Sequence, residues 1–183
     1  MKLEDWVQGF VLTGGASKRF GRDKALAVQA GLPLLSHSVG VLTDLGLPAR
    51  AVCPDPEPYL DLVSIFVTDE RPGMGPVEGL RALLRACTAP FALVLATDMP
   101  GVDADMLRDL VRASLADPSL EALCFSDSSA RHPFPGVYAV TILDRIAELE
   151  SMQAVLDTVK SKTVTGGGIG LHNVNRPEDL GEF

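Results

Sequence analysis

An α/β fold, with a mostly parallel, partly mixed central sheet and helices on both faces, is what this chain predicts, on two observations. Short apolar runs recur along it without alternating with polar residues, the pattern of strands buried on both faces. Helical periodicities fall between most of these runs, and strands that alternate with helices through right-handed crossovers build a parallel sheet. The 183 residues, 46% hydrophobic and 22% charged, are enough to bury a substantial core as one domain over residues 1–183.

The elements follow in order. Strands are predicted over Gly9–Thr13, Ala49–Cys53, Val63–Val67, Phe91–Thr97 and Leu120–Phe125. Leu35, Val39 and Leu42 recur at helical spacing before Gly46, which suits a helix C-cap. Val77, Leu80, Leu84 and Cys87 line one face of a second helix. Asp103 caps the start of a third, which carries Leu107, Leu110, Val111 and Leu115. The tail departs from this rhythm. Val137–Val140, a helical stretch Thr141–Val159 and the strand-like Ile169–Val174 are expected to complete one edge, making the sheet mixed there. Ligands of open α/β sheets bind beyond the carboxyl ends of the strands, so the residues just after each strand are the ones to inspect.

Composition narrows the partners. A net charge of −8 argues against nucleic acid as a bulk partner. No apolar run approaches the roughly 18 residues that span a bilayer, so no membrane partner is expected. The N-terminus lacks the positive and apolar regions of a secretory signal. Cys53, Cys87 and Cys124 are odd in number, lack metal-ligand spacing and sit in apolar surroundings. Buried, reduced thiols in a cytoplasmic protein are the expectation.

Against this acidic background, Val11–Ala25 reads VLTGGASKRFGRDKA and places Lys18, Arg19, Arg22 and Lys24 close together. Gly14 and Gly15 let backbone amides approach an anion without a Cβ in the way, and Ser17 adds a hydroxyl. A solvated basic loop with a glycine turn accounts for the same residues. Two phosphate loops are excluded by counting. From Gly9 the Walker spacing reaches Gly14, but Gly15 then stands where lysine is needed, and from Gly15 it reaches Phe20. The adjacency of Gly14 and Gly15 rules out the dinucleotide G-x-G-x-x-G. Asp98 follows a predicted central strand, and Pro100 stops the ladder beyond it. A metal ligand and a turn-forming aspartate both fit that place.

The stretch LTGGASKRFGRDKA resembles the signature loop of the molybdenum cofactor guanylyltransferases and their nucleotidyltransferase relatives. GMGPVEGL resembles their glycine–proline loop that opens a helix, ATDMP their metal-binding strand end, and NVNRPEDL their closing asparagine motif. Together these run in order from Val11 to Leu180. The resemblance implies a three-layer, Rossmann-like nucleotidyltransferase fold. It implies transfer of GMP from GTP to the terminal phosphate of molybdopterin, with pyrophosphate leaving after a Mg²⁺-assisted in-line attack. Arg19, Lys24 and Asp98 would be catalytic, with Asp98 also the magnesium ligand. Leu12, Thr13, Gly14, Gly15, Lys24, Asp69, Gly79 and Asp98 would bind the nucleotide, and Asn173 and Asn175 the acceptor. Asp23 would orient Lys24 rather than touch substrate. Transient contact with cofactor-delivery proteins or molybdoenzymes is a further expectation.

The chain also departs from the pattern. Thr13 replaces the usual alanine, Phe20 stands for methionine, and Glu78 stands where alanine is usual, adding negative charge near the triphosphate. Cys53 and Pro54 occupy the place where relatives often carry a nucleotide-reading asparagine. His132, in RHPFPGVY, is either a loop residue or an acceptor contact. The rival readings are a transferase using CTP or a sugar or alcohol phosphate, and a nucleotide-binding regulator without turnover.

Overall fold

The computed structural model describes residues 2–13, 23–69, 71, 73–166 and 168–181. Its strands are β1 (Val7–Leu12), β2 (Val28–Gln29), β3 (Leu32–Pro33), β4 (Ala49–Cys53), β5 (Ile65–Thr68), β6 (Phe91–Ala96), β7 (Ala122–Ser126), β8 (Arg131–Ala139) and β9 (Ser161–Thr165). Seven of them form one sheet in the order β5-β4-β1-β6-β8-β7-β9, while β2 and β3 make a small hairpin. Every pairing in the main sheet is parallel except those of β8, which runs antiparallel to both β6 and β7. The six other strands therefore point their carboxyl ends at a single rim.

The helices are α1 (Leu3–Trp6), α2 (Leu34–Asp44), α3 (Pro76–Ala86), α4 (Ala104–Ala116) and α5 (Met152–Thr158). Gly9 and Leu12, three residues apart on β1, face opposite sides: Gly9 lies against Leu42 of α2, and Leu12 against Gly79 of α3. With α4 beside α2 and α5 beside α3, the molecule has three layers. Phe10, Leu80, Leu83, Leu93, Leu107 and Leu110 are fully buried between those layers.

Local chemistry explains the helix ends. Gly46, at φ +81°, takes the left-handed conformation after α2 and donates its N–H to the Thr43 carbonyl. Asp103 caps α4 by accepting from the Met106 N–H at 2.9 Å. Pro76 occupies the first turn of α3, where its missing N–H costs nothing. One expected core position differs. Leu115 is 41% exposed, and Ser114 takes the buried place at helical spacing from Leu107, Leu110 and Val111. Its hydroxyl is satisfied by the Val111 carbonyl at 2.8 Å, so burying it leaves no unpaired polar group.

All five predicted strands form, with ends shifted by a residue or two. The tail is different from the expectation. Of Val137–Val140, the first three residues are only the end of β8, which starts at Arg131 and lies inside the sheet between β6 and β7 rather than at an edge. The edge is β9, whose SKTVT sequence is too polar to announce itself because half of it faces outward. Thr141–Val159 breaks into a 3₁₀ segment, Val140–Ile146, and the shorter α5. Ile169–Val174 is no strand: a 3₁₀ turn, Gly168–Leu171, is followed by irregular chain. Gly170 comes so near the Gly101 carbonyl that a Cβ would sit 2.8 Å from it, so this segment packs against the loop before α4.

Candidate active site

The rim where β4, β1 and β6 end gathers groups from six separate stretches of chain. Asp98 stands two residues past β6, held there as the Thr97 N–H donates to the Leu12 carbonyl at 3.3 Å. Lys24 opens a 3₁₀ turn, Lys24–Leu26, and its Nζ lies 3.1 Å from Asp98 Oδ2. Their side chains are 15% and 25% exposed, sheltered enough for the pair to be strengthened by lost water yet still reachable. Asp98 Oδ1 has no hydrogen-bond partner among the described residues.

The floor beneath the pair is apolar. Leu12 meets Gly79 so closely that a Cβ on the glycine would lie 2.9 Å from Leu12 Cδ2. Thr13, whose hydroxyl was the departure from alanine, spends it on the Val52 carbonyl at 2.9 Å and so ties β1 to β4. Asp69, just past β5, donates its N–H to the Cys53 carbonyl and accepts from the Arg71 N–H, both at 3.0 Å. The Cys53 thiol is pushed up to about 11 by burial, then by the carboxylates of Asp55, Asp23 and Asp69. Those acids thus converge on the end of β4.

The tail closes the site from the far end of the sequence. Val174 donates its N–H to the Asp98 carbonyl at 2.7 Å, and its fully buried side chain packs with Ala27 and Leu34. Asn173 and Asn175 flank it, both exposed, on irregular chain rather than the strand expected of them. The anchored valine between them keeps both asparagines near Asp98 without a strand. Asp179 takes the N–H groups of Asn175 and Arg176 at 2.7 and 2.8 Å. Those bonds, and the charges of Arg176 and Lys24, hold its carboxyl below the ordinary range. Lys24, Asp98, Leu12, Thr13, Asp69, Gly79, Asn173 and Asn175 thus share one rim, whereas Gly14, Gly15 and Arg19 lie outside the described residues, as do Lys18 and Arg22.

Two expectations resolve differently. Glu78 is 4% exposed and pairs with Arg81 at 2.6 Å, while Arg81 donates to the Ile146 and Leu149 carbonyls. Its charge is neutralised within the helical layer instead of facing a triphosphate. His132 is neither a loop residue nor paired with Asp98 or Lys24: it lies near the start of β8, opposite Phe125 of β7, and its ring meets Asp127 at 2.7 Å across the turn that joins the two strands.

One functional neighbour was missed. Tyr59, on a 3₁₀ turn after β4, donates its hydroxyl to Asp23 Oδ2 at 2.6 Å. Its only trace in the sequence is a tyrosine closing the proline-rich CPDPEPY. Among the described residues no three His, Cys, Asp or Glu side chains form a metal-holding group, and no helix is long and apolar enough to cross a membrane.

Comparison with known proteins gives the same picture from outside. The family model described as a MobA-like NTP transferase domain matches residues 9–164. A relative from Mycobacterium marinum, named "Probable molybdenum cofactor guanylyltransferase", is 32% identical over 186 residues, spanning 95% of this chain and 91% of its own length. The crystal structure of molybdopterin-guanine dinucleotide biosynthesis protein A from Archaeoglobus fulgidus superposes with a TM-score of 0.77 at 24% identity, over 96% of this chain and 95% of that one. A nucleotidyl transferase from Methanothermobacter does so with a TM-score of 0.78 at 15% identity, over 96% and 94%. Both structures speak to the fold, a mixed, mostly parallel Rossmann-like sheet between helices.

Proposed function

This chain belongs to the family of MobA-like NTP transferase domains, and we propose that it transfers GMP from GTP to the terminal phosphate of molybdopterin. The observation that carries the reading is the sheltered Lys24–Asp98 pair at the carboxyl rim, with the tail anchored to Asp98. The names of the curated relatives support the choice of substrates.

In the reaction an oxygen of the acceptor phosphate attacks the α-phosphorus, and the bond from that phosphorus to the bridging oxygen breaks. Pyrophosphate leaves with the electron pair. Attacker and target are both anions, so fixed positive charge in a sheltered site is the principal requirement. Lys24 supplies it from a turn already held against Asp98, and stabilises the charge that builds on the departing pyrophosphate. In this reading Gly14 and Gly15 bind the nucleotide and Arg19 is catalytic with Lys24. Leu12, Thr13 and Gly79 shape the floor, Asp69 meets the sugar or base, and Asn173 and Asn175 meet the acceptor.

Asp98 fits a magnesium ion in one respect that matters. Mg²⁺ is usually held by one or two carboxylates together with substrate phosphates and water, so a single aspartate suffices even though, among the described residues, no three side chains form a metal cage and Asp98 Oδ1 has no partner. When bound, the ion would neutralise phosphate oxygens as a Lewis acid. In this reading the protein works in the cytoplasm, as one domain, with transient contact to proteins that deliver or receive the cofactor.

Pyrophosphate release from GTP and from CTP, with Mg²⁺ and with or without molybdopterin, tests the assignment. Release from GTP that depends on molybdopterin is expected. Release from CTP alone would overturn the guanylyl choice, and none with any acceptor would favour a nucleotide-binding regulator.

A further inference from the structure

We infer that Tyr59 is a positioning residue for Lys24, acting through Asp23; its role in turnover rests on the transfer reading above. Asp23 precedes Lys24 and uses both carboxylate oxygens. Oδ1 accepts from the Ala25 N–H at 3.0 Å and so caps the turn that Lys24 opens. Oδ2 accepts from the Tyr59 hydroxyl at 2.6 Å, a short charge-assisted bond. The first bond sets the shape of the turn, and the second sets where the turn sits.

Tyr59 is suited to hold a fixed point. It is 6% exposed, and its own backbone is pinned: its N–H donates to the Pro56 carbonyl at 2.9 Å, and its carbonyl accepts from Leu62 and Val63 at 2.9 and 3.1 Å. Burial, followed by the Asp23 carboxylate, raises the phenol above its ordinary value, so it stays protonated and remains a donor. Ala25 and Ala27, which follow Lys24 in the turn, are fully buried. The turn that carries Lys24 is thus held by its buried alanines and by the phenol–carboxylate tether. Tyr59 and Asp23 are 36 residues apart in the chain, so this is a tertiary device rather than a local turn bond.

The tether matters because Lys24 must meet charge that develops at one place. Small misplacement of such a group costs rate more than it costs substrate binding. Tyr59→Phe keeps the ring and removes only the hydroxyl, leaving the Ala25 cap intact. Side-chain order at Lys24 Cε, read by ¹³C relaxation in the nucleotide-free protein, should fall in this variant while thermal unfolding stays close to wild type. With GTP and molybdopterin, kcat should drop about tenfold with KM little changed.

Unchanged order at Lys24 in Tyr59→Phe would overturn the inference, whatever the activity. Should Tyr59→Phe not fold, Asp23→Ser replaces it: serine can still cap Ala25 but is too short to reach Tyr59, and the same loosening is expected. If wild-type protein releases no pyrophosphate, the transfer reading fails, while the relaxation measurement still decides the tether.

Discussion

The two halves of the sheet end at the same rim, and each holds a carboxylate there in a way the other does not. In the half made of β5, β4, β1 and β6, Lys24 finds Asp98 across 74 residues of sequence, and Tyr59 finds Asp23 across 36. In the half made of β8, β7 and β9, Asp127 finds His132 five residues away and takes further bonds from Ser129 and Ala130 in its own turn. The Ser129 hydroxyl and N–H, then His132, hold Asp127 well below the ordinary carboxylate range. Where β7 passes from Cys124 to Phe125, its partner on β8 jumps from Gly136 to His132, and the extra residues bulge outward. Tyr138 locks that bulge by donating to the Pro133 carbonyl at 2.5 Å. A carboxylate satisfied by its own turn does structural work; one left to meet a distant lysine is available for chemistry.

Breaking the site should have the largest effect. Asp98→Asn keeps the shape and removes the charge, and turnover is expected to fall by roughly a hundredfold or more while circular dichroism is unchanged. Near wild-type pyrophosphate release would remove Asp98 from the chemistry and dissolve the contrast between the halves. A glycine exchange probes the packing on each side. A Cβ at Gly136 would lie 2.5 Å from the Pro133 carbonyl and 2.8 Å from the Tyr138 ring, whereas one at Gly79 meets, among the described residues, only the tip of Leu12. Gly136→Ala should therefore cost about 3 kcal/mol and Gly79→Ala about 1 kcal/mol in urea unfolding. The reverse order would mean that the site floor is the more rigid of the two.

A third comparison uses one thiol from each half. Cys53 and Cys124 are both pushed from 9.0 up to about 11, in each case chiefly by burial. Because the folded-state values lie above the unfolded ones, the folded chain holds more protons in that interval. The stability owed to the neutral thiols is complete below 9.0 and is lost as the pH rises through about 11. Urea midpoints should fall across this window, and Cys53→Ala and Cys124→Ala should each flatten the fall. The smallest effect is expected at the satisfied turn: His132→Ala should leave pyrophosphate release within about twofold of wild type. A loss comparable to that of Asp98→Asn would make the second half part of the site.

Much of this molecule was legible because burial on both faces writes strands as uninterrupted apolar runs, as in FALVLA of β6. β9 escaped because an edge strand has one partner and an outward side, so SKTVT carries no such run. The inward place of β8 escaped for another reason: a strand does not record in its own residues which neighbours it will pair with. Lys24 and Asp98 were legible through their family motifs, while Tyr59 was not, since nothing local distinguishes a phenol that will meet a carboxylate from one that will only fill space.

Features that depend on near neighbours are written locally in the chain. They include the apolar runs, the Gly46 and Asp103 caps, and the residue types that follow each strand. Only the tertiary structure decided which of those strand ends would meet. With β1 between β4 and β6, the turns that follow them share one rim, and Tyr59, Asp23, Lys24 and Asp98 fall into contact there. The tail joins them through Val174, whose N–H finds the Asp98 carbonyl. Such contacts arise from sheet order and layer packing, which are settled by the burial of the whole core and not by any single stretch of chain.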